Sequence, residues 1–252
     1  MLRRQLDLLL AAIQFLTRIP TPQLAGFDPD WISRSARFFP LVGQMVGALA
    51  AAVFFAASQV WPPLVAALLA IATGALVTGG FHEDGLADTA DGLGGGQTPE
   101  RRLEIMKDSR TGTYGVLALA LTLGLKAAAL AGLQPVAGAL ALLAGHGAAR
   151  GASVIAMRAL PYARGLDLSK WKPSPTGLHA GEVATALVLA AWPLLLLSWP
   201  QVLAGLALGS LLALGPAVAA RRLIGGQTGD VLGAVEQMFE LGFLLGLAAL
   251  SR

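Results

Sequence analysis

The sequence LVAALLAIATGALVTGG, at positions 64–80, contains no charged residue. A helix needs about 20 apolar residues to cross the hydrocarbon core of a bilayer, and this stretch comes near that length. It is followed at once by FHEDGLADTADG, at positions 81–92, in which four side chains carry carboxylates. The abrupt change predicts a membrane-spanning helix that ends at a polar site.

Six further stretches have the same apolar character. With the first they predict about seven spans, at 39–60, 64–80, 114–133, 136–157, 183–199, 202–220 and 231–250. The composition agrees, because 55% of the residues are hydrophobic and 13% are charged, against about 25% charged in soluble domains. We therefore predict an all-α, polytopic helical bundle that forms one membrane domain over residues 1–252. The absence of cysteine excludes disulfides and thiolate metal sites.

The N-terminus superficially resembles a signal peptide. Arg3 and Arg4 precede an apolar run at 8–16, but Asp7 interrupts its start and no small-residue cleavage site follows. We predict an uncleaved helix that lies at the membrane interface or is half inserted.

Lysine and arginine residues are concentrated in alternate connections between the spans. The connections at 61–63, 133–135 and 199–201 carry no charge. The others hold most of the 18 Lys and Arg residues, including Arg101, Arg102, Lys107, Arg110, Arg158, Arg164, Lys170, Lys172, Arg221 and Arg222. The positive-inside rule places this second set in the cytoplasm. Lys126 falls toward the outer side, where we expect its ammonium group to reach the outer surface.

The acidic run carries the first candidate site. If it is helical, Asp84, Asp88 and Asp91 share one face, because they lie at positions i, i+4 and i+7. Like charges at this spacing repel each other and favour a bound cation. Oxygen ligands without thiolates suit Mg²⁺. The alternative is a solvated helix end that binds nothing.

Two further polar segments lie on the same side. Thr98-Pro99-Glu100 predicts the start of a surface helix with Leu103 and Met106 facing down, and KDSRTGTYG follows at 107–115. Cationic side chains there suit phosphate oxygens, although they also suit simple membrane anchoring. In the segment GGQTGD, at 225–230, Thr228 or Asp230 can cap the last helix, or Asp230 can complete the metal site.

Besides Lys126, four ionisable residues lie within predicted spans, where a charge is costly. His146 and Arg150 are one turn apart, as are Glu236 and Glu240. We expect Arg150 to point into a polar cavity. Glu240 is deeper than Glu236 and is the better candidate for an internal polar partner.

A metal site and basic residues beside a bilayer together indicate transfer of a phosphate-linked group. CDP-alcohol phosphotransferases and UbiA-type prenyltransferases also use aspartate-bound metals in membrane helices, so both remain alternatives. An ion-coupled transporter is less favoured, because its ionisable groups would lie near the midplane between repeated halves. The formal net charge of +3 gives little support for a nucleic-acid partner.

The sequence resembles the cobalamin synthase (adenosylcobinamide-GDP ribazoletransferase) family. The resemblance rests on five segments that cover most of the chain: FLTRIP at 15–20, GGFHEDGLADTADG at 79–92, MKDSRTGTYG at 106–115, PYAR at 161–164 and GQTGDVLGA at 226–234.

The resemblance implies a reaction in which α-ribazole, or its 5′-phosphate, is joined to adenosylcobinamide-GDP with release of GMP. It also implies Mg²⁺ as cofactor and the bacterial inner membrane, with its lipid, as location; a homo-oligomer stays open. The roles that follow are these: catalytic Asp84, Asp88, Asp91 and His82; substrate-binding Lys107, Asp108, Ser109, Arg110, Arg150, Arg164 and Thr228; metal-binding Asp84, Asp88, Asp91, Asp230 and Glu240. His82 is included as a possible general base because its ordinary pKa lies near neutrality.

Overall fold

The computed structural model describes residues 2–22, 24, 30–163 and 177–251, and regular structure within them is helical. The helices are α1 Leu2–Leu16, α2 Trp31–Ser35, α3 Phe39–Ala57, α4 Pro63–Thr78, α5 Phe81–Gly95, α6 Pro99–Met106, α7 Thr113–Ala131, α8 Pro135–Ala159, α9 Ala180–Ala191, α10 Trp199–Leu223 and α11 Gly229–Ala249. Short 3₁₀ turns at Ala36–Phe38 and Trp192–Leu196 extend α2 and α9. The predicted all-α membrane class is confirmed.

The predicted count of spans is approximate. Five helical segments are long and apolar enough to cross a bilayer: Trp31–Ala57, α7, α8, α10 and α11. A sixth is reached if α4 and α5 are taken together as one bent segment. The segment predicted at 183–199 corresponds to a shorter apolar helix, Ala180–Leu196, which ends in a 3₁₀ turn from Trp192.

The last helix, α11, occupies the centre of the bundle. Of the 18 residues in the most apolar stretch of α11, 78% are buried. The helix packs against α5, α7, α8 and α10. Small residues allow the closest approach: a Cβ atom added at Gly242 would lie 2.5 Å from the carbonyl oxygen of Leu208. Such contacts between small residues are the usual means of helix packing in lipid.

The chain turns sharply where α4 meets α5. Gly79 and Gly80 both adopt left-handed backbone angles, with φ of 73° and 72°, which glycine adopts without steric cost. The two helices consequently form an angle of 91°. The acidic helix α5 therefore leaves the direction of α4 and packs against α7 and α11.

The predicted surface helix is confirmed as α6. The Thr98 hydroxyl accepts a hydrogen bond from the Arg101 amide at 3.3 Å and caps the helix. Leu103 and Met106 are buried, as their spacing predicts. The N-terminal segment is also helical, as α1.

Candidate active site

The carboxylate of Asp91 joins two of the predicted motifs. One of its oxygens accepts a hydrogen bond from the Gly112 amide at 2.7 Å, and the other accepts one from the Gly115 amide at 2.9 Å. These amides lie at the start of α7, where a negative charge is stabilised by the helix dipole. The acidic helix thus holds the 107–115 loop above it, and Asp91 is buried in doing so.

Asp84 and Asp88 lack such partners. Asp84 is exposed and Asp88 is half-buried, and neither forms an ion pair with a described lysine or arginine. Burial, helped by the negative charges of Asp84, Asp230 and Asp91, raises the pKa of Asp88 to about 7. Carboxylates that repel each other without a compensating side chain fit a hard cation such as Mg²⁺.

The predicted metal set is nevertheless not gathered at one point. Within the described residues, ligand atoms lie within 4.8 Å of one another only in the group of His146, Glu236 and Glu240. The acidic residues of α5 are spread along the helix, and Asp91 turns toward backbone amides. The assignment of Asp84, Asp88, Asp91 and Asp230 to metal stays a prediction.

The beginning of α11 lies directly on α5. A Cβ atom added at Gly85 would lie 2.8 Å from the backbone oxygen of Asp230. Thr228 caps α11, because its hydroxyl accepts a hydrogen bond from the Val231 amide at 3.2 Å. Lys107 lies within electrostatic range of Asp230. The capping alternative for Thr228 is confirmed, and its substrate-binding role stays a prediction.

Backbone hydrogen bonds bring the segment after α8 next to the segment before α11. The Gln227 amide donates to the Pro161 carbonyl at 2.8 Å, and the Ala163 amide donates to the Gln227 carbonyl at 2.9 Å. The PYAR and GQTGD segments are therefore neighbours, although about 60 residues separate them. Arg164, predicted to bind substrate, lies outside the described residues.

The loop after α6 presents its charges to the surface. Arg110 is exposed and donates to the carboxylate of Asp108, with 2.6 Å between Nη2 and Oδ2. This hydrogen bond lowers the pKa of Asp108 to about 2. Lys107 and Ser109 are exposed beside the pair. The four predicted substrate-binding residues of this loop therefore lie at least partly at the surface.

A cavity of about 530 Å³ opens beside α5. Arg18, Glu83, Asp84 and Thr111 line it, together with the 78–80 turn. No role for Arg18 was predicted from the sequence, although the residue lies in the FLTRIP motif. Its backbone amide donates to the Val77 carbonyl at 2.8 Å, which fixes the residue against the end of α4. This contact between distant segments was not visible in the sequence.

Lys126 does not extend to the outer surface, so that expectation is wrong. Its side chain is 3% exposed. The ammonium donates to Gln237 Oε1 at 2.7 Å and lies 3.3 Å from Glu240 Oε1. An internal carboxylate stabilises this charge, so the lysine has no need to reach water.

Arg150 belongs to the same buried network. Its Nη1 lies 2.5 Å from Glu236 Oε1 and 3.0 Å from His146 Nδ1. Glu240 lies further away, at 4.0 Å. Glu236, rather than the deeper Glu240, is therefore the nearest partner of Arg150. Arg150 lines neither of the two cavities described for the chain. Its predicted role in binding substrate stays a prediction.

The charges of this network balance without a metal ion. Lys126 and Arg150 contribute two positive charges, and Glu236 and Glu240 contribute two negative ones. A divalent cation among His146, Glu236 and Glu240 would add uncompensated charge in a buried site. Glu240 contacts Lys126 and His146, at 3.3 and 3.4 Å, and its role as a metal ligand stays a prediction.

Gln237 connects the network to the acidic helix. Its amide nitrogen donates to Glu83 Oε1 at 3.1 Å and to Glu236 Oε2 at 3.0 Å. This contact gives Glu83 a role that the sequence left open. His82, which directly precedes Glu83, is buried and does not line the cavity at Asp84. Its role as general base stays a prediction.

Fold and charges together define a polytopic membrane protein with an acidic, cation-compatible site at one end of its bundle. A family model described as cobalamin-5-phosphate synthase matches residues 8–248. The chain therefore belongs to that family, and the resemblance stated from the sequence is confirmed.

Three of the most similar relatives share one name. The adenosylcobinamide-GDP ribazoletransferase of Leptothrix cholodnii is 47% identical over 247 residues, covering 94% of this chain and 93% of the relative. Proteins of that name from Shewanella frigidimarina and Shewanella pealeana are each 42% identical, covering 94% and 98% of this chain and 92% and 97% of the relatives. No solved structure matches the chain.

Proposed function

We propose that this chain joins α-ribazole, or its 5′-phosphate, to adenosylcobinamide-GDP and releases GMP. Similarity to proteins named for this activity extends over nearly the whole chain and supports the proposal. The geometric observation that carries it is the cavity in which Arg18, Asp84 and Thr111 meet from three separate motifs. An arginine and a carboxylate in one cavity suit a phosphate-linked substrate that reacts with the help of a cation.

In this proposal the 3′-hydroxyl oxygen of the ribazole forms a bond to the phosphorus attached to the corrinoid side chain. The bond from that phosphorus to the bridging oxygen breaks, and GMP leaves with that oxygen. Asp88 accepts the hydroxyl proton, since its pKa lies near 7. Arg18 and the exposed Arg110 stabilise the negative charge on the phosphates.

The acidic residues fit Mg²⁺ as the cofactor. Asp84 and Asp230 would hold the ion, because neither forms an ion pair with a described side chain. When bound, it supplies charge neutralisation and Lewis-acid polarisation at the phosphoryl oxygens. Asp91 contributes indirectly, because its hydrogen bonds to the Gly112 and Gly115 amides hold the 107–115 loop against α5.

The direct experiment uses the purified full chain with adenosylcobinamide-GDP, α-ribazole and Mg²⁺, and measures release of GMP. Arg18→Gln should raise KM for the GDP-linked substrate about tenfold or more, which is the usual cost of losing a charged hydrogen bond. Arg101→Gln is the control, because Arg101 is exposed and pairs with Glu104 outside the cavity. No GMP from the wild type, with turnover of a CDP-alcohol or a prenyl diphosphate instead, would establish one of the rival transferases.

The proposed location is the inner membrane, with the active site toward the cytoplasm. The uneven distribution of Lys and Arg supports this orientation. The chain has no cysteine, so single cysteines can be placed at Glu104 and at Gln134. A membrane-impermeant thiol reagent added to spheroplasts should label the cysteine at 134 and not the one at 104. The reverse pattern would invert the orientation.

A further inference from the structure

A second cavity, of about 640 Å³, opens between α8, α9, α10 and α11. Its wall is almost entirely aliphatic, with Ala152, Ile155, Leu187, Leu206 and Ala217 among the lining residues. None of the acidic residues of α5 borders it. This groove is therefore distinct from the cavity beside Asp84.

The groove lies beside α10, whose apolar surface is largely exposed. It forms because α8 and α10 both pack on α11 and make few contacts with each other. Only 22% of the most apolar window of α10 is buried, and Leu214, at the edge of the groove, is 57% exposed. An apolar groove left empty in lipid would lose dispersion contacts along its wall, so acyl chains are the natural filling.

Two arginines give the groove a polar end. Arg221 and Arg222 line it where α10 finishes and are exposed. Arg221 donates to the Gly225 carbonyl at 3.1 Å, which leaves most of its donors available. Neither arginine forms an ion pair with a carboxylate of the described residues. An occupant therefore combines apolar length with an anionic head.

We propose that this groove binds one anionic phospholipid, with its acyl chains along α8 and α10 and its phosphate at Arg221 and Arg222. Basic pockets between membrane helices on the cytoplasmic side are suited to anionic head groups. The site goes beyond the transferase function and does not depend on it. It lies next to the turn before Thr228, so an occupant would contact the end of α10 that leads into the active site.

The test is native mass spectrometry of the purified full chain with added phosphatidylglycerol or phosphatidylcholine. Wild type should retain phosphatidylglycerol in preference. The paired change Arg221→Ala and Arg222→Ala should weaken its retention about 25-fold, at roughly a fivefold loss per arginine. The matched control is Arg3→Ala with Arg4→Ala, an exposed arginine pair of α1, which should leave retention unchanged.

A second pair of variants tests the groove itself. Ala217→Phe fills it, whereas Ala207→Phe adds the same bulk at an exposed position of α10 that does not line it. Only Ala217→Phe should lose phosphatidylglycerol. Equal retention by both, or equal retention of the two lipids by wild type, would overturn the proposal. So would a wild-type dimer that Ala217→Phe converts to a monomer with no lipid released, because a second copy would then occupy the groove.

Discussion

The acidic helix α5 and the buried network on α7, α8 and α11 are both rich in charge but differ in its balance. On α5, neither Asp84 nor Asp88 forms an ion pair with a described lysine or arginine, and Asp84 is exposed. In the network, Lys126 and Arg150 face Glu240 and Glu236 and are almost fully buried. The first region has a charge imbalance that an external cation would correct; the second has none.

This difference separates the two kinds of role. A site that must bind a metal and an anionic substrate needs unpaired groups that a ligand can reach. A balanced set of buried ions instead links helices together, and removing one member leaves the other without a partner. We therefore expect changes on α5 to affect turnover and changes in the network to affect stability.

The largest expected effect is on turnover. Asp84→Asn or Asp88→Asn should lower GMP release at least about a hundredfold, since replacing a metal-supporting carboxylate or a general base commonly costs this much. The thermal midpoint should not fall, because a repelling charge is removed. Excess chelator should abolish wild-type activity in the same assay. Full turnover by either variant, or in the presence of chelator, would show that the aspartates of α5 do not take part in the reaction.

The next effect is on stability. Glu236→Leu leaves Arg150 buried without its nearest partner and should cost about 3–5 kcal/mol of unfolding free energy. The double variant Arg150→Met with Glu236→Leu should recover most of that loss. Denaturation in detergent measures both, in a double-mutant cycle with Arg150→Met alone. A double variant no more stable than Glu236→Leu would mean that the two residues do not act as a pair.

The variant Arg150→Lys tests the role of the same arginine through the KM values of the two substrates. The network predicts a lower thermal midpoint and unchanged KM values for both substrates. A rise in KM restricted to the GDP-linked substrate would instead support the substrate-binding role predicted from the sequence, because lysine cannot reproduce the bidentate contact of an arginine with a phosphate.

A smaller effect is expected at Asp91. Asn keeps one acceptor oxygen, so Asp91→Asn loses one of the two amide contacts and should cost about 1 kcal/mol, as for a helix cap. Thr228→Ala, at the cap of α11, is the matched comparison. Activity should fall far less than in Asp84→Asn. An equal loss of activity with an unchanged thermal midpoint would place Asp91 among the reacting groups.

The smallest effect concerns pH. Asp88 has a pKa of about 7 in the folded protein, against an ordinary value of 3.8. The folded state therefore holds this proton more tightly, and the stability it provides is complete below the ordinary value and is lost as the pH rises to about 7. Without divalent cations, the thermal midpoint of wild type should fall between pH 5 and 7 by about 2 °C more than that of Asp88→Asn. Parallel curves would exclude the raised pKa.

The two regions also differ in how far the sequence predicted them. The acidic run, its helical form and the capping by Thr98 and Thr228 follow from local spacing, and the structure confirms them. The sequence predicted only part of the buried network. Helical spacing pairs His146 with Arg150, but it places Lys126 at the outer surface. Its acceptor Gln237 is 111 residues away, and no local pattern joins two such positions.

The sequence by itself determined the membrane class, the approximate spans, the gathering of motifs at one end and the family. Hydrophobic length, charge distribution and motif order are properties of the linear chain, so they need no knowledge of packing. The tertiary structure alone decided which charges are balanced. It placed Lys126 beside Glu240, turned Asp91 toward the amides of α7, brought Arg18 to Asp84 and left the groove beside α10 open. Each depends on distances between helices remote in sequence, which are set by the packing of small residues around α11.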